Sequence, residues 1–266
     1  MELVMPPKKK RPTPILIRNI MIALALIALY IWTFSTIDIR WERVFSERTI
    51  TNFSRVIPQL FSPDWDAFQK VMILMWQTIQ MAYTGTLLAA ILAVPFGFFA
   101  ASNITKSKTL NILSKGALDA IRAFPELVLA LMFVAAIGPS PFAGVLAIAI
   151  GSIGMLGKLY SEVIESIDMH VVEALEANGA NKIQVLFYGI IPQIVPEFLS
   201  YAIYRFEIDI RASTILGIIG AGGIGTLITI ATANRNWDEV GMILLIIIIV
   251  VTAIDYFSAF IRKRIV

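Results

Sequence analysis

The stretch Glu173-Ala174-Leu175-Glu176-Ala177-Asn178-Gly179-Ala180, followed by Ile190-Ile191-Pro192, is a polar, small-residue island between two long apolar runs, roughly 142–164 and 192–220. Each run has the length needed to cross a bilayer, about 20 apolar residues. A water-soluble helical protein hides its apolar side chains on one stripe of each helix; it does not gather its polar residues into islands between all-apolar runs. The island therefore reads as a loop joining two membrane spans, and the rest of the chain fits that frame.

Composition agrees. The 266 residues are 58% hydrophobic and only 15% charged, more apolar surface than a soluble domain of this length can bury. With no cysteine and a single histidine, His170, the chain has no disulfide, thiol nucleophile or histidine-rich metal site of its own. We expect an all-α polytopic membrane helix bundle of about six transmembrane helices.

The pattern predicts these segments in order. Residues 1–14, with Lys8, Lys9, Lys10 and Arg11 among prolines, form a basic tail. Residues 15–36 form a first transmembrane helix, uncleaved because no small-x-small site follows it. Residues 37–69 form an extracytoplasmic interfacial segment marked by Trp41 and Trp65. Residues 70–266 form the core, with a loop at 166–191. Its spans are expected at about 71–101, 118–137, 142–164, 192–220 and 240–261. The turn Gly138-Pro139-Ser140-Pro141 separates the second of these from the third. Small residues along the fourth span of the chain (Ala143, Ala147, Gly151, Gly154, Gly157) let a neighbouring helix approach closely.

Lys and Arg set the orientation. Lys8–Arg11, then Lys106, Lys108 and Lys115, then Lys182, then Arg262–Arg264 fall on one side. The other side has Arg235 alone, or bases balanced by Asp38, Glu42, Glu47, Asp64 and Asp66. Both termini and the loop 166–191 are thus expected in the cytoplasm.

Charges inside the spans are costly, about 2.5–3.5 kcal/mol each at the bilayer centre on insertion scales, so they face the bundle, a partner or water. Arg205 with Asp209, Glu207 with Arg211, and Arg122 with Glu126 across Pro125 each have the i, i+4 spacing that lets two side chains meet on a helix. They read either as structural ion pairs or as an anion path whose arginines are held by acids until an oxyanion arrives; the planar guanidinium fork suits such an anion. Asp255 lacks an evident partner, and His170 reads as a solvated loop residue.

Gly220, Gly222 and Gly225 spell G-x-G-x-x-G, but they end a span with no βαβ context, which rules against a dinucleotide site. Together with Gly223 they suggest a gate or a close helix crossing. Gly157-Lys158 is followed by Leu159, so the chain has no phosphate loop of the G-x-x-x-x-G-K-[ST] type. Any ATP, and the magnesium with it, belongs on another chain, and no cofactor is expected here. Nucleic-acid binding has no support, because the basic runs flank spans.

The island resembles the EAA loop of ABC-importer permeases, which has a Glu-Ala-Ala start, a glycine further on and an Ile-x-Leu-Pro ending. Glu173, Ala174, Ala177, Gly179, Ala180 and Pro192 match it; Leu175 stands where the family has alanine. Arg122-Ala123-Phe124-Pro125-Glu126, with Arg211-Ala212-Ser213 and the glycines that follow, look like the phosphonate-uptake branch. Related glycine runs also occur in methionine-type permeases. The likeness covers roughly residues 70–262. It implies a type I ABC importer permease, a non-enzymatic transport subunit in the bacterial inner membrane. The implied partners are a second permease (a homodimer), two cytoplasmic ATPases docked on the loop as a coupling helix, and an external binding protein. The implied substrate is phosphonate or a related phosphorus oxyanion such as phosphate or phosphite. Alternatives are another small solute such as methionine, or an ion-coupled secondary transporter.

Overall fold

A computed structural model describes residues 13–37 and 40–265. The chain divides into two units, residues 1–55 and 56–266. The first holds α1 (Thr13–Thr36) and α2 (Trp41–Val44), and α3 (Glu47–Leu60) runs from it into the second. Within α1 the stretch Ile17–Thr36 is apolar, long enough to span a membrane, and unburied. The expected tail at 1–14 lies outside the described residues, apart from Thr13 and Pro14 at the start of α1.

The second unit is all-helical. After a 3-10 turn at Trp65–Ala67 come α4 (Phe68–Ala100), α5 (Lys108–Ala123), α6 (Glu126–Ile137) and α7 (Pro141–Glu165). Then follow α8 (Met169–Ala177), a short α9 (Lys182–Gln184), a π-helical segment at Val185–Ile190, α10 (Ile191–Leu216), α11 (Ile224–Ala233) and α12 (Trp237–Ile265). Among the described residues no strand occurs. Among the described residues five helices are long and apolar enough to cross a membrane, six if the bent pair α5–α6 counts as one span. The protein is a multi-pass membrane helix bundle.

The expected span at 118–137 is not one helix. Its two parts, α5 and α6, meet at 81°. Pro125 offers no N–H to the preceding turn and drives Phe124 out of the helical region, to φ −81°, ψ 124°. Only α6 is apolar, apart from Glu126 at its start, and its 12 residues span about 18 Å at 1.5 Å per residue, well short of the hydrocarbon core. In α5, Ser114 and Leu118 are buried, while Lys108, Lys115, Asp119 and Arg122 lie on its exposed flank.

The core is built around α7, which packs along α4 and also touches α5, α6 and α10. Small residues make this possible, as expected of α7. A Cβ on Gly85 of α4 would sit 2.7 Å from the Ile148 side chain, and one on Gly157 would sit 2.5 Å from Leu118. One apolar cluster gathers Leu118, Leu156, Tyr160, Val172, Ile194 and Phe198, with the Tyr160 and Phe198 rings stacked at 3.8 Å. A second joins α4, α10, α11 and α12 through Met75, Ile210, Leu227 and Met242.

The glycine run is closely packed. Gly220, Gly222 and Gly223 all have positive φ, a region in which glycine alone is unstrained. They turn the chain from α10 into α11, a helix that the sequence reading passed over as loop. A Cβ on Gly217 would lie 2.5 Å from the Gly222 carbonyl oxygen and 2.7 Å from the Gly225 Cα, so here backbone meets backbone. The N–H groups of Gly223 and Ile224 donate to Gln77 Oε1 and Thr78 Oγ1 of α4, at 3.1 and 2.8 Å.

Candidate functional site

Two places gather the residues singled out by the sequence. The first is a polar cluster roughly midway along α10. Arg205 is only 6% exposed. Its Nε lies 2.9 Å from Asp209 Oδ1, one turn on, so this i, i+4 pair forms. The same Nε donates to Ser152 Oγ of α7 at 2.9 Å, and Nη1 approaches Met155 Sδ at 3.2 Å. Nη2 donates to Glu126 Oε1, on the first turn of α6. Asp209, with no exposed surface, accepts further hydrogen bonds from Thr86 Oγ1 of α4 and Ser152 Oγ at 2.7 and 2.9 Å. One buried cation thus ties together α4, α6, α7 and α10. A buried charge is tolerated when paired and hydrogen-bonded like this, and removing one partner exposes the full desolvation cost.

The other two expected pairs do not form. Glu207 meets Arg262 of α12 at 3.0 Å, and Arg262 also lies over the Tyr204 ring at 5.5 Å. Arg211 meets Asp255 of α12, which supplies the partner Asp255 lacked. α12 packs along this side of α10 and offers charges of the right sign, so both side chains reach across. Arg122 turns to Asp119 on its own helix, at 3.9 Å. The bend at Pro125 carries Glu126 to Arg205 instead, breaking the helical register that i, i+4 spacing assumes.

An open cavity of about 440 Å³ lies beside the cluster. Its walls include Arg122, Arg205 and Glu126, with apolar Phe124, Met155 and Ile215. Gly151 makes room for the acid: a Cβ there would lie 2.9 Å from Glu126 Cγ.

The second place is the loop 166–191. Asp168 caps α8 by accepting from the His170 N–H at 2.9 Å. Val172 is buried and Leu175 half-buried against the apolar cluster, where Leu175 lies on Gly189. Glu173, Ala174, Ala177 and Gly179 are exposed; Ala180 is half-buried. Leu175, which departs from the alanine pattern, thus faces its own bundle, while Glu173, Ala174, Glu176 and Ala177 face outward. Gly179 (φ +82°) reverses the chain, and a reciprocal cap between Asn181 and Gln184 starts the next turn. Gln193 receives the Asp168 N–H at 2.9 Å and donates to the Gly189 carbonyl at 2.7 Å, pinning the loop to the base of α10, beside Pro192. The sequence reading missed this tether; a lone glutamine gives no such signal. Among the described residues no three His, Asp or Glu side chains converge as a metal site.

Residues 93–266 match the model of the binding-protein-dependent transport system inner membrane component family. The chain belongs to that family: it is the membrane permease component of an ABC transporter and a transport subunit of the inner membrane. It is 38% identical over 202 residues to the phosphite transport system permease protein PtxC of Stutzerimonas stutzeri, covering 76% of this chain and 74% of that one. It is 35% identical over 241 residues to the phosphate-import permease protein PhnE of Mycolicibacterium smegmatis, covering 90% of this chain and 42% of that one. In fold it is similar to a chain of the MetNI methionine ABC transporter in an inward-facing conformation, with a TM-score of 0.66 at 17% identity, over 76% of this chain and 99% of that chain.

Proposed function

We propose that this permease imports a phosphorus oxyanion (phosphonate, phosphite or phosphate) handed over by an external binding protein and driven by two cytoplasmic ATPases. The observation that carries the coupling half is α8: Val172 and Leu175 anchor it to the bundle, while Glu173, Ala174, Glu176 and Ala177, with Gly179 just beyond its end, are exposed. A helix anchored on one side and exposed on the other suits docking in a cleft on a partner. ATP and magnesium then reside on that partner. The substrate half is supported by the likeness to phosphite and phosphate permeases and by arginines on the cavity wall. The permease works as a pair, most simply with a second copy of itself. Its termini and the loop 166–191 face the cytoplasm, residues 15–36 add a first transmembrane helix, residues 37–69 form an extracytoplasmic interfacial segment, and residues 70–266 form the core.

Gly179→Trp tests the coupling. Space around Gly179 is open, so bulk there points away from the bundle, and the strain at its positive φ is about 1–2 kcal/mol. Co-purification with the ATPase, and its stimulation by loaded binding protein, should fail with this variant and with Glu173→Lys. Unchanged stimulation in both would sink the docking surface. Uptake of labelled phosphite, phosphate and methylphosphonate by cells that lack other routes tests the substrate; no uptake of any of them would overturn that assignment.

A further inference from the structure

We infer that the cavity between α5, α6, α7 and α10 binds a singly protonated oxyanion, and that Glu126 is the residue that selects for the proton. The inference rests on the transport reading above and goes further, assigning a site and a specificity determinant.

The reasoning begins with charge. Arg205 is one cation facing two carboxylates. Asp209 is wholly buried, and Thr86, Ser152 and Arg205 surround its oxygens, so it neutralises Arg205 and has no surface to offer a ligand. Glu126 differs. Its side chain is 23% exposed, it lies on the cavity wall, and it accepts from the outer nitrogen of the same guanidinium. The cavity therefore has an ionised acceptor on its wall next to the Arg205 donors. Arg122, half-exposed and held only at 3.9 Å by Asp119, lies on the wall as well. The first turn of α6 opens on the same space without a side-chain cap, adding a favourable dipole end.

A tetrahedral anion entering this space takes hydrogen bonds from the guanidinium groups, and one of its oxygens comes to face Glu126. An ionised carboxylate only accepts hydrogen bonds. An anion oxygen without hydrogen also only accepts, so the two would confront each other unpaired and repel. An oxygen that carries a hydrogen donates to Glu126 and removes the conflict. Phosphite, phosphate and phosphonates keep one such hydrogen on a large fraction of molecules near neutral pH; sulfate keeps none. The cavity is large for a bare oxyanion, and the apolar Phe124, Met155 and Ile215 on its walls leave room for an organic substituent on phosphorus.

The test is calorimetric titration of the full-length chain in lipid nanodiscs with inorganic phosphite, methylphosphonate, phosphate and sulfate. The wild type should bind the phosphorus anions about tenfold or more tightly than sulfate, the difference one charged hydrogen bond supplies. In Glu126→Gln the amide can donate, so sulfate should come within about threefold of phosphite. Glu126→Asp keeps an acceptor and should keep the preference, which guards against simple loss of fold. Gly151→Ala, whose new methyl would press on Glu126, should weaken the preference without removing a charge. A wild type that binds no anion or ranks sulfate with phosphite overturns the assignment, and so does a Glu126→Gln chain that keeps the wild-type preference. If cells still take up phosphite in any of these cases, the acceptor role falls alone and the transport reading stands; absence of all phosphorus-anion uptake sinks the transport reading itself.

Discussion

α10 carries two acid–base pairs at the same spacing, Arg205 with Asp209 and Glu207 with Arg211, yet only the first closes on its own helix. The difference lies in what each face meets. On the Arg205 face, α4 and α7 bring hydroxyls, Thr86 and Ser152, which hydrogen-bond the acid but offer no competing charge. The arginine keeps its neighbour and adds Glu126. On the other face α12 brings Asp255 and Arg262, and each α10 side chain exchanges its helical neighbour for a partner across the interface. Spacing states which side chains can meet; the charge on the packed neighbour decides which do. The first face is a buried brace, the second a strap between two helices, half-open at Arg211 and Asp255.

The sharpest way to break this contrast is Asp209→Leu. It leaves Arg205 buried with Glu126 as its remaining carboxylate, removes the acceptor of the Ser152 hydroxyl and leaves Thr86 only the Ala82 carbonyl. Breaking a buried pair from one side costs about 3–5 kcal/mol. We expect the largest loss of thermal stability among single changes on α10, with little folded chain recovered from membranes. Asp209→Asn, which keeps shape and most hydrogen bonds, should fall between it and wild type. If Asp209→Leu is as stable as wild type, the brace is not one.

On the strap, Arg262→Met should come next. It leaves Glu207, whose side chain is 8% exposed, without its cation but with a hydrogen bond from Ser258. The expected loss is about 1–3 kcal/mol, the range for a buried polar group deprived of a partner, read as a lowered unfolding midpoint in detergent. A loss equal to that of Asp209→Leu would erase the distinction between the two faces.

How much of this was legible in the sequence follows from the same contrast. Long apolar runs declare themselves by composition, so the spans at α4, α7, α10 and α12 could be read directly, as could the loop pinned by Gly179 and Pro192. The span expected at 118–137 is two helices, because Pro125 turns the chain by 81°, a bend over which hydropathy averages. α11 hid behind glycines, with close backbone contact at Gly217 and Gly225. At the candidate site Arg205–Asp209 was legible, being local. Glu126–Arg205 and Arg211–Asp255 were not, since both depend on which helices lie side by side. Leu175 is the instructive middle case: the sequence marks it as a departure from a pattern of small residues, and only the packing of α8 on Gly189 shows that its side chain turns inward.

The smallest effect expected is at the open end of the strap. Arg211 and Asp255 are half-exposed, with side chains 51% and 37% accessible. Polar pairs between membrane helices average about 0.6 kcal/mol in double-mutant cycles, because the partners find other contacts when separated. A cycle of Arg211→Gln and Asp255→Asn should return a coupling of about that size, measured by unfolding in bicelles. The pair's exposure makes the sign of the single changes informative. If this face of α10 and α12 met lipid, neutralising both groups would stabilise the protein, since charges facing hydrocarbon are costly. If it faces water or a second subunit, the double variant is no more stable than wild type while transport falls. A strongly stabilised double variant with normal uptake would place the open end of the strap against lipid and leave the Arg205 face as the only charged surface of α10 with a part in transport.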